Sequence, residues 1–404
     1  MRLSRLAAAI TACGFASVAG AGGFALSEQS VSAMGTANAG RASYAQDASV
    51  VYNNPAAMLQ LKQAQVTGAV AFIDAYSKIN NASGGLPVDN TGAAPATNNG
   101  DMVPHSYIPS GYFTSGDKGG WAWGVGTYGS YGLKTNYEPG FQGRLGGDKS
   151  AIKVTTVQPV IAYRVNDQVT VAAGPTLNRL DALLTQAAGV STTASLKGHD
   201  IGYGYNVGLH ASLNPDTQAG LVYRSKVRYG VSGTLTVPGP ATFAANAGIT
   251  LPESVETSLS HKLDAKNTLH AGVMWTRWSR FQSLDVSAPP VNSSTPYQWK
   301  DSTGYSIGLT HQCNDRLQLR AGLAFDNSPV NPAFRNVRLP SADRYIASIG
   351  AGYKLGDGRM IDASYSYLRE QRASVAAAGT APNDYTADYR SRANILGLQF
   401  TQTF

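Results

Sequence analysis

The chain has 404 residues and a formal charge of +7, with only 14% charged residues, 44 glycines and 21 tyrosines. Its positive excess is mild and dispersed along the sequence, with no basic run of the kind that suggests nucleic acid. No later stretch approaches the ~20 apolar residues of a transmembrane helix. The slightly negative mean hydropathy with so few charges instead suits an outer-membrane barrel, whose apolar and polar faces alternate along each strand. A secreted all-β protein of the same composition is the competing reading.

Residues 1–21 have the form of a secretory signal. Arg2 and Arg5 make the charged start, 6–18 the apolar stretch and Ala19-Gly20-Ala21 a small-residue cleavage site. Ile10-Thr11-Ala12-Cys13 resembles a lipoprotein cleavage box, but would leave too short a signal with apolar sequence running on. Cleavage after Ala21 removes Cys13, leaves Cys313 without a partner for an internal disulfide, and lowers the formal charge to +5. Residues 22–62 follow as a small, polar, Gly/Ala/Ser-rich segment carrying Glu28, Arg41 and Asp47. It has no long apolar run, which is odd for the start of a large domain. It is expected to fold as a plug inside a barrel formed by 63–404.

From there the sequence alternates. In 201–212, Ile201, Tyr203, Tyr205, Val207 and Leu209 share one face, and Gly202, Gly204, Asn206, Gly208 and His210 the other. In 317–326, Leu317, Leu319, Leu323 and Phe325 oppose Gln318, Arg320, Gly322 and Asp326. A strand sends successive side chains to opposite faces, so each segment has an apolar and a polar side. Such segments are long enough to cross a bilayer at a tilt. Candidate strands fall at 64–76, 104–116, 120–133, 149–164, 168–181, 199–213, 217–236, 252–264, 268–285, 300–314, 316–327, 343–355, 358–372 and 389–403. The count is fourteen, an even number as bacterial barrels require.

Tight turns at Asn166-Asp167, Asn214-Pro215-Asp216, 264–267, Asn314-Asp315 and Gly356-Asp357 belong on the periplasmic side. Long stretches at 77–103, 134–148, 182–198, 237–251, 286–299, 328–342 and 373–388 belong outside. The last strand places Leu396, Leu398, Phe400 and Phe404 on one face. Ending on Phe resembles the terminal signature of outer-membrane proteins, although Gln402 stands where an aromatic is usual.

Several ordered motifs carry a more specific likeness. They are GFALSEQS from Gly23, NAGRASYAQDAS from Asn38, Asn54-Pro55-Ala56, WGVGTYGSYGL from Trp123, Leu251-Pro252-Glu253, Trp278-Ser279-Arg280-Phe281, Ala324-Phe325-Asp326 with Ser328-Pro329-Val330, and Leu339-Pro340 with Asp343-Arg344. In this order they resemble the FadL family of long-chain fatty acid and hydrocarbon transporters, over nearly the whole chain after residue 21. The resemblance implies an all-β, 14-stranded antiparallel transmembrane β-barrel with an N-terminal hatch in the lumen.

It also implies site residues. Phe24, Asn54, Pro55 and Ala56 would lie on the plug beside the substrate, though Asn54 also suits a helix cap with Pro55 at the first helical position. Gly129, Ser130 and Gly132 would kink the third strand and open a lateral gate in the wall; alternatively these glycines only relieve crowding. Arg320 and Asp326, on a polar strand face, are candidate lumen charges that pair with each other or with the plug, or meet a carboxylate. Some members carry a basic residue just past the fifth strand. Here Gln186 falls there, with Arg179 nearby, which leaves room for uncharged cargo.

Two enzyme-like patterns dissolve on inspection. Gly124, Gly126 and Gly129 form a GxGxxG, but inside an alternating strand rather than between strand and helix. Gly304, Ser306 and Gly308 form a GxSxG with the same fault. The six histidines show no metal spacing; His210 is expected to face the lumen. No catalytic residue, metal or cofactor is expected.

The expected function is passive uptake of long-chain fatty acids or similar hydrophobic compounds across the bacterial outer membrane. A shift of the plug near Phe24 would open a path sideways into lipid. The alternative within the family is a monoaromatic or alkane hydrocarbon channel; outside it stand a non-selective porin and an outer-membrane lipase. Expected partners are a hydrophobic small molecule and the outer-membrane lipid and lipopolysaccharide around a monomeric barrel, with no nucleic acid.

Overall fold

A computed structural model describes residues 22–239, 241–375 and 384–404. The signal sequence expected at 1–21, Cys13 included, lies outside the described residues. Fourteen antiparallel strands close into a barrel. In chain order they are β1 Gln65–Ser83, β2 Ser106–Thr114, β3 Trp121–Asn136, β4 Lys149–Arg164, β5 Val169–Ala187, β6 Thr193–Asn214, β7 Thr217–Arg224, β8 Ser254–Lys262, β9 Asn267–Thr276, β10 Ser302–Gln312, β11 Leu317–Asp326, β12 Arg344–Gly356, β13 Arg359–Glu370 and β14 Thr386–Thr403. Consecutive strands pair, and β14 closes on β1 in a register running from Gln65↔Thr403 to Ser83↔Thr386. Every strand thus has a neighbour on both sides, which is how a barrel removes the edges of a sheet.

Alternation places the side chains as the sequence implies. On β6, Ile201, Tyr203, Tyr205, Val207 and Leu209 are exposed on the outside, whereas Asn206 and His210 are buried in the lumen. Four of the tight turns share one device. Asn166, Asn214, Asp264 and Asn314 each accept, through Oδ1, the backbone N–H two residues on. An Asx side chain thereby substitutes for a backbone turn bond.

Two expected strands are shorter than the pattern implied. The segment 217–236 breaks at Ser225-Lys226, where Ser225 Oγ accepts from Tyr205 N at 2.8 Å and bonds Lys226 O at 3.3 Å. The segment 268–285 breaks at Arg277, followed by a 3-10 turn over Trp278–Arg280. Beyond these breaks the chain forms the hairpins Val227–Val237 with Ala241–Leu251, and Ser283–Ala288 with Val291–Pro296. The hairpins meet at Val286↔Ala247 and Ser287↔Asn246. The stretches 237–251 and 286–299 are therefore largely β-sheet on the long-loop side. Their own alternation had merged with that of the wall.

Residues 22–61 occupy the lumen. Two short helices, Val31–Met34 and Val50–Asn53, and a 3-10 helix over Pro55–Gln60 are almost wholly buried. Bonds to the wall go all the way round: Val31 N to Gln399, Arg41 to Glu256, Ser43 to Ser260, Asn54 to Leu209 O, and Gln158 to Val51 O.

Candidate functional site

The β2–β3 seam is incomplete. Pairing runs only from Thr114↔Gly124 to Ser110↔Tyr128. Beyond it on β2 stands Pro109, which has no N–H to give a neighbour. On β3 the register against β4 slips between Gly129 and Tyr131. Ser130 is the extra residue of this bulge, and its Oγ accepts from Thr156 Oγ1 at 2.9 Å. A bulge reverses the phase of alternation. Before it, Ala122 and Tyr128 are buried toward the lumen; after it, Leu133 and Thr135 are. Gly129, Ser130 and Gly132 thus lie along the part of β3 that β2 leaves unpaired.

The start of the hatch fills the opening from inside. Leu26 N donates to Ser130 O at 3.1 Å, and Gly132 N to Phe24 O at 2.9 Å, so 24–26 replaces the missing β2 partner. Gln29 bridges both sides of the seam. Its Nε2 donates to Gly129 O at 2.9 Å, while its carbonyl accepts from Ser110 Oγ and Tyr112 OH.

Phe24 is 3% exposed. Its ring lies among Trp278, Trp299, Tyr131 and Phe281, with centroid distances of 4.9, 5.8, 6.0 and 6.2 Å. The two motifs Leu251-Pro252-Glu253 and Trp278-Ser279-Arg280-Phe281 meet here. Arg280 Nη2 bonds Glu253 Oε1 at 2.5 Å, Arg277 joins the same carboxylate at 3.3 Å, and Tyr131 OH donates to Pro252 O at 3.1 Å. This ion pair fixes the turn that carries the aromatic box.

An apolar cavity lies against the box. It is lined by Phe24, Leu133, Ile152, Leu180, Leu184, Leu196, Val231, Ile249, Phe281, Leu284, Trp299 and Leu339 among others, with an empty volume of about 820 Å³ that includes its open mouth. Its charged lining residues are Lys197 and Arg338. Arg338 reaches from the loop before β12 to Gln186 Oε1 at 2.9 Å, Thr185 O at 3.0 Å and Lys149 O at 3.2 Å. A guanidinium therefore stands beside Gln186, where sequence reading found only an amide. Arg179 is exposed and paired with Asp181 at 3.0 Å. Arg338 could not be found by position, because it arrives across 152 residues of sequence.

The other candidates are bonded within the hatch, to it, or within the wall. Asn54 is fully buried. Its Oδ1 caps the 3-10 helix at Ala56 N (3.1 Å), and its Nδ2 donates to Ala42 O (2.6 Å) and Leu209 O (2.9 Å). Asn54, Pro55 and Ala56 are not among the residues lining the cavity. Arg320 and Asp326 do not pair with each other. Arg320 bonds Asp362 Oδ1 at 2.7 Å across a glycine-bearing β12, and Asp326 accepts from the backbone N–H of Gly22. His210 faces the lumen and contacts Ser43 O at 3.2 Å.

A closed, alternating barrel with a folded segment in its lumen, a lateral seam and an apolar cavity defines a class: an outer-membrane transport barrel for hydrophobic molecules. The chain belongs to the family described as outer membrane protein transport protein (OMPP1/FadL/TodX), which matches residues 12–404. It is similar to outer membrane protein P1 of Haemophilus influenzae, 26% identical over 96% of both chains. It is 24% identical to the long-chain fatty acid transport protein of Escherichia coli K12, over 95% of this chain and 94% of that one. Among solved structures, a Pseudomonas aeruginosa FadL homologue superposes with a TM-score of 0.84 at 22% identity, covering 95% of this chain and all of the other. The Pseudomonas putida toluene transporter TodX gives 0.69 at 16% identity, over 94% and 99%. The protein is thus an outer-membrane transporter of hydrophobic compounds, a channel and not an enzyme.

Proposed function

We propose that the cargo is a long-chain fatty acid or a similar apolar chain with an acidic head, taken up passively. The observation that carries this is the cavity: apolar along its length, with Lys197 and Arg338 as its charged lining residues. A pocket that is mostly apolar with a few placed polar groups suits such a ligand. The relatives named as long-chain fatty acid transport proteins support the same reading. Toluene transporters share the fold, so an uncharged hydrocarbon is the alternative.

Cargo entering the cavity would press on Phe24. Displacing 22–26 would strip the β3 edge of its substitute strand and open the seam between Pro109 and Ser130. Release would be sideways into lipid, and no energy source is implied. The test is uptake in a host lacking such a transporter, comparing oleate with toluene. Oleate uptake that falls in Arg338→Gln supports the proposal. Toluene uptake alone makes the protein a hydrocarbon channel, and salt conductance without either uptake makes it a porin.

A further inference from the structure

The outside of the wall carries a basic groove that the transport path does not use. Four neighbouring strands align a row of outward side chains. Tyr76 on β1 lies opposite Arg392 on β14, Arg392 opposite Arg369 on β13, and Arg369 opposite Tyr345 on β12. Lys78 and Arg390 form the next pair of the β1–β14 ladder. All six residues are exposed and line one concave groove. Tyr345, Arg369, Arg390 and Arg392 come from three successive strands, and closure of β14 on β1 adds Tyr76 and Lys78.

The charge of this groove is uncompensated. Among the described residues, no carboxylate lies within ion-pair distance of Lys78, Arg369, Arg390 or Arg392, and the undescribed residues include no Asp or Glu. Nearby acids are engaged elsewhere. Glu370 accepts from Arg344 Nε at 2.8 Å, and Asp388 is bonded by Arg372, Ser374 and Asn81. Asp74, one row lower, is paired with His105 at 3.0 Å. Arg392 lies over the Tyr76 ring at 5.1 Å, which holds the guanidinium flat against the wall.

Depth identifies the partner. The strands rise from this row into the long loops, so it lies on the extracellular side. Below the row of Asp74 the outward residues include Leu396, Leu398 and Phe400 on β14 and Ile349 and Tyr353 on β12, all exposed. From Phe400 to Arg392 the wall climbs roughly 20 Å at the usual strand rise and tilt, close to the height of a barrel's apolar band. The cations therefore sit at the head-group level of the outer leaflet, flanked by the tyrosines of the interface. Arginines presented side by side match phosphate oxygens in bidentate fashion.

We propose that this groove binds the phosphorylated sugar head of a lipopolysaccharide molecule, with Arg369, Arg390, Arg392 and Lys78 on its phosphates and its acyl chains on the apolar strands below. The site is independent of the cargo reading, and its failure would leave that reading untouched.

The test uses the folded, purified barrel in detergent, with lipid A binding followed by native mass spectrometry. Three proteins are compared: wild type; Lys78→Gln/Arg369→Gln/Arg390→Gln/Arg392→Gln; and Arg369→Lys/Arg390→Lys/Arg392→Lys. Heat-modifiable gel mobility checks that each barrel is closed. Wild type and the lysine variant are expected to retain bis-phosphorylated lipid A. The glutamine variant should lose about tenfold or more in affinity, and phosphate-free lipid A should bind all three weakly. Equal binding by the glutamine variant overturns the proposal, as does equal binding of phosphate-free lipid A. Displacement of lipid A by millimolar inorganic phosphate would reveal a generic anion site and overturn it as well.

Discussion

At the scale of single residues, the first eight positions of the hatch carry most of the chemistry. Gly23 adopts φ +60°, and a Cβ there would stand 2.8 Å from both Trp278 and Trp299. Only glycine lets the chain pass between the indoles and deliver Phe24 to its box. Phe24→Ala should therefore loosen 22–29 by about 3 kcal/mol, as for a truncated buried aromatic. Faster hydrogen exchange at Leu26 N and Gly132 N, with the amides paired between wall strands unchanged, would show it. Glu28 makes the same segment pH-sensitive. Burial pushes its carboxyl up to about 7 from the usual 4.5, against the pull of the Ser27 N–H and hydroxyl. The docked state then holds a proton that the released state gives up. Docking is firmest below the ordinary carboxylate range and weakens as pH rises through about 7. Exchange protection of 22–29 should fall across that interval in the wild type and stay flat in Glu28→Gln; an identical slope in both would reject Glu28 as the titrating group. Asn54→Ala should cost about 1–3 kcal/mol of hatch docking, because it strands buried groups at Ala42, Ala56 and Leu209. Impaired uptake with cargo affinity preserved would mark it as a positioning residue.

At the scale of elements, β3 shows what a sequence discloses and what it hides. Inward positions are even-numbered up to Tyr128 and odd-numbered from Tyr131. That phase change is written in the residues, and the glycines around Ser130 mark the bulge that causes it. The same alternation misled at Ser225 and Arg277. A loop hairpin alternates as a wall strand does, and what ends the wall strand is a single hydroxyl or a 3-10 turn without a strong local signal. The hatch was legible by its composition, whereas the Arg338–Gln186 contact depends on how a loop folds over the rim and left no local trace. The bulge also supplies a test. Deleting Ser130 should restore a regular β3–β4 register without changing the inward phase of Tyr131 and Leu133. Combined with Pro109→Val, it gives β2 and β3 the donors to zip past Ser110↔Tyr128. Uptake should fall to the background of the empty host while the barrel keeps its heat-modifiable mobility. Unimpaired uptake would mean that cargo does not leave through this seam.

At the scale of the molecule, wall and hatch are held by different forces. The wall is a closed hydrogen-bond ladder, interrupted along part of the β2–β3 seam. The hatch is tied to it by neutral hydrogen bonds, by the packing of Phe24 and by one buried ion pair. Glu256 on β8 takes Arg41 Nε at 2.8 Å from the hatch and Arg224 Nη1 at 3.0 Å from β7, and Arg224 also donates to Tyr52 O and Asn53 O. Side-chain exposure is 3% for Arg41 and 6% for Glu256. Breaking such a pair from one side is far costlier than replacing both partners, because the survivor is left buried and uncompensated, at about 3–5 kcal/mol. Glu256→Gln leaves two guanidiniums facing each other under the Tyr52 ring, and the way to relieve them is to release the hatch toward water. The ladder makes no use of this side chain, so the barrel should stay closed while the lumen opens. The expected result is a rise in salt conductance in planar bilayers, with unchanged heat-modifiable mobility and new protease sites within 22–61. Arg41→Met/Glu256→Gln, which removes one of the opposed charges, should conduct less than Glu256→Gln alone. If Glu256→Gln unfolds the wall along with the hatch, the two parts are one cooperative unit and this division of forces is wrong.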